Sequence, residues 1–245
     1  MFDAEERQWW YAGMRSISFR LLETALGPGS GERILDAGCG TGRNLLHFSR
    51  RGRGVGIDLS EEALRFCRTR GVVAVRGTLL ELPFRDGGFD GISSFDVLYH
   101  RWVTDDRAAL RELARVLRPG GWLLVRVPAL MALWGAHDEA VHSRHRYTRG
   151  ELRTLLESAG LEVARASYCN SLLLPLLFAR RTLDRLFHRH GSDVQFLPAP
   201  LETLFRLALE TEAFLLRFLS FPAGASVMAV ARKPGPDSGR REGPG

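Results

Sequence analysis

One short segment concentrates chemistry: Ile34-Leu35-Asp36-Ala37-Gly38-Cys39-Gly40-Thr41-Gly42-Arg43-Asn44. Glycines at alternate positions let the backbone take left-handed dihedrals and approach a ligand closely. Where such a turn opens a helix, free N–H groups face an anion. Asp36 stands two residues before Gly38, so the loop suits a ligand carrying an amine and a carboxylate. Asp36 would meet the amine and the backbone the carboxylate. The spacing is not that of a dinucleotide loop, G-x-G-x-x-G, because Arg43 holds the place of the third glycine; no G-x-x-x-x-G-K-[ST] occurs either. Downstream, Val55-Gly56-Ile57-Asp58-Leu59-Ser60 places Asp58 about one βαβ step later, where an acid accepts hydrogen bonds from ribose hydroxyls. The plainer alternative is a tight turn followed by a capping Asp.

Acid–base candidates lie further on. His100 closes the segment Ser94-Phe95-Asp96-Val97-Leu98-Tyr99-His100 and could face an acceptor; it could equally be a structural histidine of that loop. Between Trp134 and Tyr147, His137, His142 and Tyr147 could position or deprotonate an acceptor, and Arg144 and Arg146 could hold a carboxylate or phosphate on it. Two rival readings stand beside this one. The stretch could be a loop stapled by Arg–acid pairs. Alternatively His137, His142 and His145 could ligate a metal, although the H-E-x-x-H spacing is missing; no metal is predicted.

The elements that position these residues follow from apolar runs. Two helical stretches, near Asp3–Tyr11 and Met14–Leu26, precede the breaker Gly27-Pro28-Gly29-Ser30-Gly31. Strands are predicted over Arg33–Asp36, Gly54–Ile57, Val72–Val75, Phe89–Ser94 and Trp122–Val127, with helices at Gly42–Arg50, Glu61–Arg70 and Asp105–Leu117 between them. Ser60 is a helix cap, and Arg118-Pro119-Gly120-Gly121 reads as the stop and turn into the next strand. A helix at Gly150–Ala159, a strand at Leu161–Tyr168, a leucine-rich helical stretch from Asn170 to Pro222 and a last strand at Ala225–Ala231 complete the pattern. Strand–helix alternation means α/β: a Rossmann-like, seven-stranded, mostly parallel sheet with helices on both faces and a helical insertion before the last strand. The predicted units are an N-terminal helical lid (1–30), a core (31–169), the helical insertion (170–224), a final strand completing the core (225–233) and a disordered tail (234–245).

The DAGCGTG and GIDLS segments resemble the first two motifs of the class I S-adenosylmethionine-dependent methyltransferases, of the small-molecule, methyltransferase type 11-like kind. GTLLELPFRDGGFD, SFDVLYH and LARVLRPGGWLLV resemble later parts of the same family, from about Arg33 to Val127. The resemblance implies S-adenosyl-L-methionine as cofactor. Asp36, Gly38, Cys39, Gly40 and Gly42 would form the methionine side of its site, and Asp58 with Leu59 would hold the ribose. Thr78 and Leu79 would meet the adenine, although many relatives have Asp where Thr78 stands. Phe95 and Asp96 match the position beside the sulfonium. His100, His142 and Tyr147 are the candidate catalytic side chains.

Composition bounds the rest. The 245 residues are 45% hydrophobic and 25% charged, which suits a globular chain and excludes collagenous or disulfide-framework classes. Net charge is +6, but all cations save Lys233 are arginines spread along the chain, which argues against a nucleic-acid partner, and the resemblance implies a small-molecule acceptor. An RNA methyltransferase and a non-catalytic cofactor-binding scaffold are the alternatives. Cys39, Cys67 and Cys169 form no metal or disulfide pattern and fit a reducing cytoplasm. MFDAEERQWW is acidic and aromatic, unlike a signal peptide. Apolar stripes within 172–219, beside Arg180, Arg181, Arg185 and Arg189, could pack onto the body, roof a lipophilic acceptor or touch a membrane surface. Oligomeric state stays open.

Overall fold

A computed structural model describes residues 5, 8–186 and 198–235. Its sheet has seven strands: β1 (Glu32–Ala37), β2 (Gly52–Asp58), β3 (Val73–Arg76), β4 (Phe89–Phe95), β5 (Leu117–Pro128), β6 (Glu162–Cys169) and β7 (Ser226–Arg232). Their order is β3-β2-β1-β4-β5-β7-β6. The first five are parallel, and β7 runs antiparallel between β5 and β6. The order reverses between β1 and β4, the switch point at which open α/β sheets bind ligands.

Eight helices flank the sheet among the described residues: α1 (Trp9–Leu26), α2 (Arg43–Phe48), α3 (Glu61–Thr69), α4 (Asp106–Val116), α5 (Ala136–Ala140), α6 (Arg149–Ser158), α7 (Leu174–Leu186) and α8 (Ala199–Leu215). Alternation along each strand splits the core in two. Leu35, Leu123 and Val125 pack with Leu110, Leu113, Leu152 and Leu156 on the α4/α6 face. Ile34, Trp122 and Leu124 pack with Ile17, Leu21, Leu209 and Leu216 on the α1/α8 face. Caps form where side chains permit: Ser60 accepts from Ala63 N, Asp105 from Ala108 N, and Thr148 with Glu151 closes a capping box.

Two expectations need correction. The separation near Gly13 does not exist: α1 is continuous, and Gly13 is there because a Cβ would lie 2.3 Å from Leu209 Cδ1 and 2.6 Å from Leu209 Cβ. Residues 3, 4, 6 and 7 of the earlier predicted helix lie outside the described residues. The predicted turn Arg118-Pro119-Gly120-Gly121 lies inside β5 as a bulge: Phe89 pairs with Leu117 and Gly91 already with Trp122. The bulge is held by the Gly120 N–H to Lys233 O, 2.8 Å. Residues 236–245 of the predicted tail, and 187–197 within the insertion, lie outside the described residues.

Candidate functional site

The glycine loop sits at the carboxyl end of β1. Gly38, Gly40 and Gly42 all have left-handed φ, +86°, +52° and +82°. Gly38 must be glycine for space as well, since a Cβ there would lie 2.1 Å from Val97 Cγ2. Asp36, wholly buried, accepts from Ser93 Oγ at 2.6 Å through Oδ1, while Oδ2 is buried without a partner. Burial pushes its pKa up to about 7, opposed by the Ser93 hydrogen bond. A buried orphan carboxylate oxygen calls for a donor, and an ammonium supplies one. The cofactor's amine therefore fits Asp36.

The backbone part of the prediction changes. Gly38 and Cys39 N–H both donate to Ile57 O, Gly42 N–H to Cys39 O, and Gly40 N–H to Asp58 Oδ2. These four groups shape the loop rather than meet a ligand's carboxylate. A carboxylate does lie against the loop: that of Glu5, which accepts from Thr41 Oγ1 and pairs with Arg70 at 3.1 Å.

Asp58 ends β2. Its Oδ2 accepts from Gly40 N and its Oδ1 from Ser60 N, each leaving lone pairs for two hydroxyls. Leu59 beside it is 47% exposed, an apolar shelf next to a carboxylate, as a nucleoside needs. Thr78 follows β3; its Oγ1 accepts from Leu80 N at 3.3 Å, with a second lone pair left for an adenine amine. Leu79 is buried in the α4/α6 core, so its side chain supports this turn from below.

Phe95 ends β4 and Asp96 follows with φ +57°, a left-handed conformation for a residue that is not glycine. Tyr99 and His100 stack at 4.3 Å, His100 lies 5.5 Å from the Trp102 ring, and Trp102 meets the edge of His142 at 5.2 Å. His100 Nδ1 is buried without a hydrogen-bond partner. Burial lowers the His100 pKa, against the raising effects of the Val141 backbone and of Asp96. The loop after β4 is zipped to the histidine-rich loop: Arg101 N donates to His142 O and Arg144 N to Tyr99 O, 3.1 and 2.8 Å. His142, with φ +54°, is exposed on the outer side of Trp102.

Three other candidates do structural work. Tyr147 is fully buried, and its hydroxyl donates to Asp106 and Leu98 O. Burial and Asp106 raise its pKa well above the usual phenol range, which removes it as a base. Arg144 pairs with Asp106, and Arg146 with Asp138 at 2.8 Å, so neither guanidinium reaches for an acceptor. The loop is thus the stapled one. Its histidines diverge, His145 bonding Glu151 at 2.7 Å, and no metal-binding cluster occurs among the described residues.

Sequence reasoning missed Arg126. It lies buried in β5, donates to Asp96 Oδ2 from Nε (2.9 Å) and Nη2 (2.5 Å) and to Ser18 Oγ (3.2 Å), and stacks over Phe95 and Trp10. It ties α1 to Asp96, the residue that follows β4. The signal was legible: a charge inside Leu123-Leu124-Val125-Arg126-Val127 must be paired to be buried.

A methyltransferase-domain family profile matches residues 35–125. The chain is 33% identical over 164 residues to a probable S-adenosylmethionine-dependent methyltransferase of Mycolicibacterium smegmatis, covering 64% of this chain and 61% of that one. It is 34% identical to the malonyl-[acyl-carrier protein] O-methyltransferase of Erwinia pyrifoliae, covering 72% and 69%. The chain belongs to the class I S-adenosylmethionine-dependent methyltransferases. A probable tRNA methyltransferase 9B of Homo sapiens is 42% identical over 101 residues, but the chain spans 22% of its length and it spans 41% of this chain. The matched stretch of this methyltransferase contains Asp36, Asp58, Thr78, Phe95 and His100, and stops before the histidine-rich loop and α7–α8.

Proposed function

We propose that the protein transfers a methyl group from S-adenosylmethionine to an oxygen or nitrogen nucleophile of a small acceptor. The observation that carries this is the buried, partnerless Asp36 Oδ2 beside the glycine loop, with Asp58 one strand away. Bound there, the cofactor supplies an electrophilic methyl carbon on a sulfonium. Asp36 holds the amine, Asp58 the ribose hydroxyls, and Leu59 with Thr78 the adenine. Alignment of the nucleophile behind the methyl carbon contributes up to about 7–11 kcal/mol.

An oxygen or nitrogen acceptor methylated there would have to give up its X–H proton. His100 Nδ1 takes it, neutral because burial favours the uncharged ring. Trp102, 53% exposed, with His142 behind it, walls the acceptor.

Exposed Leu176, Leu183, Leu186, Phe214 and Phe218 on and just past α7 and α8 suit a lipophilic acceptor or peripheral contact with a bilayer. No described helix is long and apolar enough to cross a membrane. Calorimetry with S-adenosylhomocysteine tests the core of the reading: binding that Asp36→Ala and Asp58→Ala each abolish or weaken at least tenfold supports it, and no heat from the wild type ends it. Radiolabel transfer to small-molecule extract but not to total RNA separates the small-acceptor reading from an RNA one.

A further inference from the structure

Behind the glycine loop lie two thiols that methyl transfer does not use. Cys39, between two left-handed glycines, and Cys67, on α3, bring their sulfurs to 3.9 Å, both buried. Cys67 also donates to Gly40 O at 3.3 Å. Neighbouring glycines make room for the pair: a Cβ on Gly56 would lie 2.5 Å from Cys39 Sγ, and one on Gly42 3.0 Å from Cys67 Sγ. With Leu45, Val72 and Ala74 the two sulfurs form a small cluster separate from both main cores.

We propose that Cys39 and Cys67 are a reversible disulfide-forming pair whose oxidation disables the cofactor loop. The co-reactant is a hydroperoxide, the simplest being hydrogen peroxide. Cys67, as thiolate, attacks one peroxide oxygen and breaks the O–O bond; it becomes a sulfenic acid and the other oxygen leaves as water. Cys39 then attacks the Cys67 sulfur and displaces a second water. Two thiols and one peroxide give one disulfide and two waters. Cys67 is the thiol to react first: the hydrogen bond between the two sulfurs, 3.9 Å apart, lowers the Cys67 pKa and raises that of Cys39.

A disulfide needs its sulfurs at about 2.05 Å, so they must close nearly half their present separation. Cys67 is fixed in α3 and its carbonyl accepts from Val72 N at 3.1 Å. Cys39 lies in the glycine loop, held by its N–H to Ile57 O and by Gly42 N–H to its carbonyl (3.0 and 2.9 Å), and closing the sulfurs pulls on these bonds. Its shift drags Gly40, whose N–H holds Asp58 Oδ2 and whose carbonyl receives Cys67. Both the loop and the ribose carboxylate are then misplaced.

The affinity part of this inference rests on the proposed cofactor; the cross-link does not. Reduced protein is titrated with S-adenosylhomocysteine by calorimetry, treated with hydrogen peroxide, titrated again, and digested for mass spectrometry. The expected result is a Cys39–Cys67 cross-linked peptide, an affinity loss of at least about tenfold, within the ordinary range of coupling between sites, and full recovery with dithiothreitol. Cys67→Ser should bind as wild type when reduced and become insensitive to peroxide. Cys169→Ala, altering the thiol at the end of β6, should stay sensitive. Absence of the cross-link, a cross-link without affinity change, or sensitivity surviving in Cys67→Ser overturns the proposal. Reduced protein that does not bind at all sinks the cofactor reading and this switch together, whereas a reduced protein that binds and ignores the cross-link sinks the switch alone.

Discussion

Burial keeps the Asp36 carboxyl protonated in the free protein up to about pH 7, where an ordinary aspartate would have ionised several units lower. The raised value means that this group's contribution to folding weakens as pH climbs from the ordinary carboxylate range to about 7. A cationic ligand reverses the balance, since it favours the ionised form and drives a proton off. Affinity for S-adenosylhomocysteine should therefore fall roughly tenfold per unit as pH drops below about 7, and level off above it. Asp36→Asn should flatten that profile while lowering affinity throughout. Calorimetry between pH 5.5 and 8.5, in buffers of different ionisation enthalpy, reads both the slope and the released proton. Burial also pushes the Glu212 carboxyl up, against the backbone hydrogen bonds of Leu172, Ser171 and Asn170 that favour its ionised form. It is fully buried on α8 and its Oε2 accepts from the N–H groups of Ser171 and Leu172 (2.7 and 3.0 Å), pinning the chain just past β6. Glu212→Ala leaves those donors without their acceptor, and urea unfolding should show a loss of about 1–3 kcal/mol.

Among the elements, α1 and β5 are joined at Arg126. Asp96→Ala would leave its guanidinium buried without its carboxylate, a loss of about 3–5 kcal/mol by chemical denaturation. The double change Asp96→Ala with Arg126→Met should recover much of that stability without restoring transfer, because the left-handed turn after β4 loses its anchor. At the other contact of α1, Gly13→Ala forces a methyl into Leu209 and should cost about 1–3 kcal/mol, recovered by Leu209→Ala to the extent that the cavity and the methyl match. Here the sequence was only partly legible. Strands announced themselves through apolar runs, and one helix start through Ser60, whose side chain acts on its own backbone; the Asp105 and Thr148 caps came only with the structure. The glycine loop was legible for the same reason, since a left-handed turn needs local residue types. Gly13 misled because its role is set by Leu209, far along the chain, and a glycine read locally means a break. Tyr147, Arg144 and Arg146 misled in a related way. Their types suit catalysis and ligand binding, but Asp106 and Asp138, which engage them, meet them only after the chain has folded.

On the scale of the molecule, the stretch matched by the family profile holds the glycine loop, Asp58, Phe95 and His100, while the histidine-rich loop, α7 and α8 lie outside it. The histidine-rich loop, α7 and α8 should consequently govern which acceptor is used, and exchanging 131–147 should alter acceptor choice while leaving S-adenosylhomocysteine affinity unchanged. The position of β7 has a temporal consequence. It slots between β5 and β6, and among the described residues β6 pairs with no other strand, only with Phe221 through one isolated bridge at Tyr168. During synthesis, residues 162–169 must wait for their strand partner until residues 226–232 leave the ribosome. A nascent chain stalled before Ser226 is a half-zipped sheet with an open lane, the species most in need of a chaperone, so the last strand decides when the newborn protein stops being vulnerable.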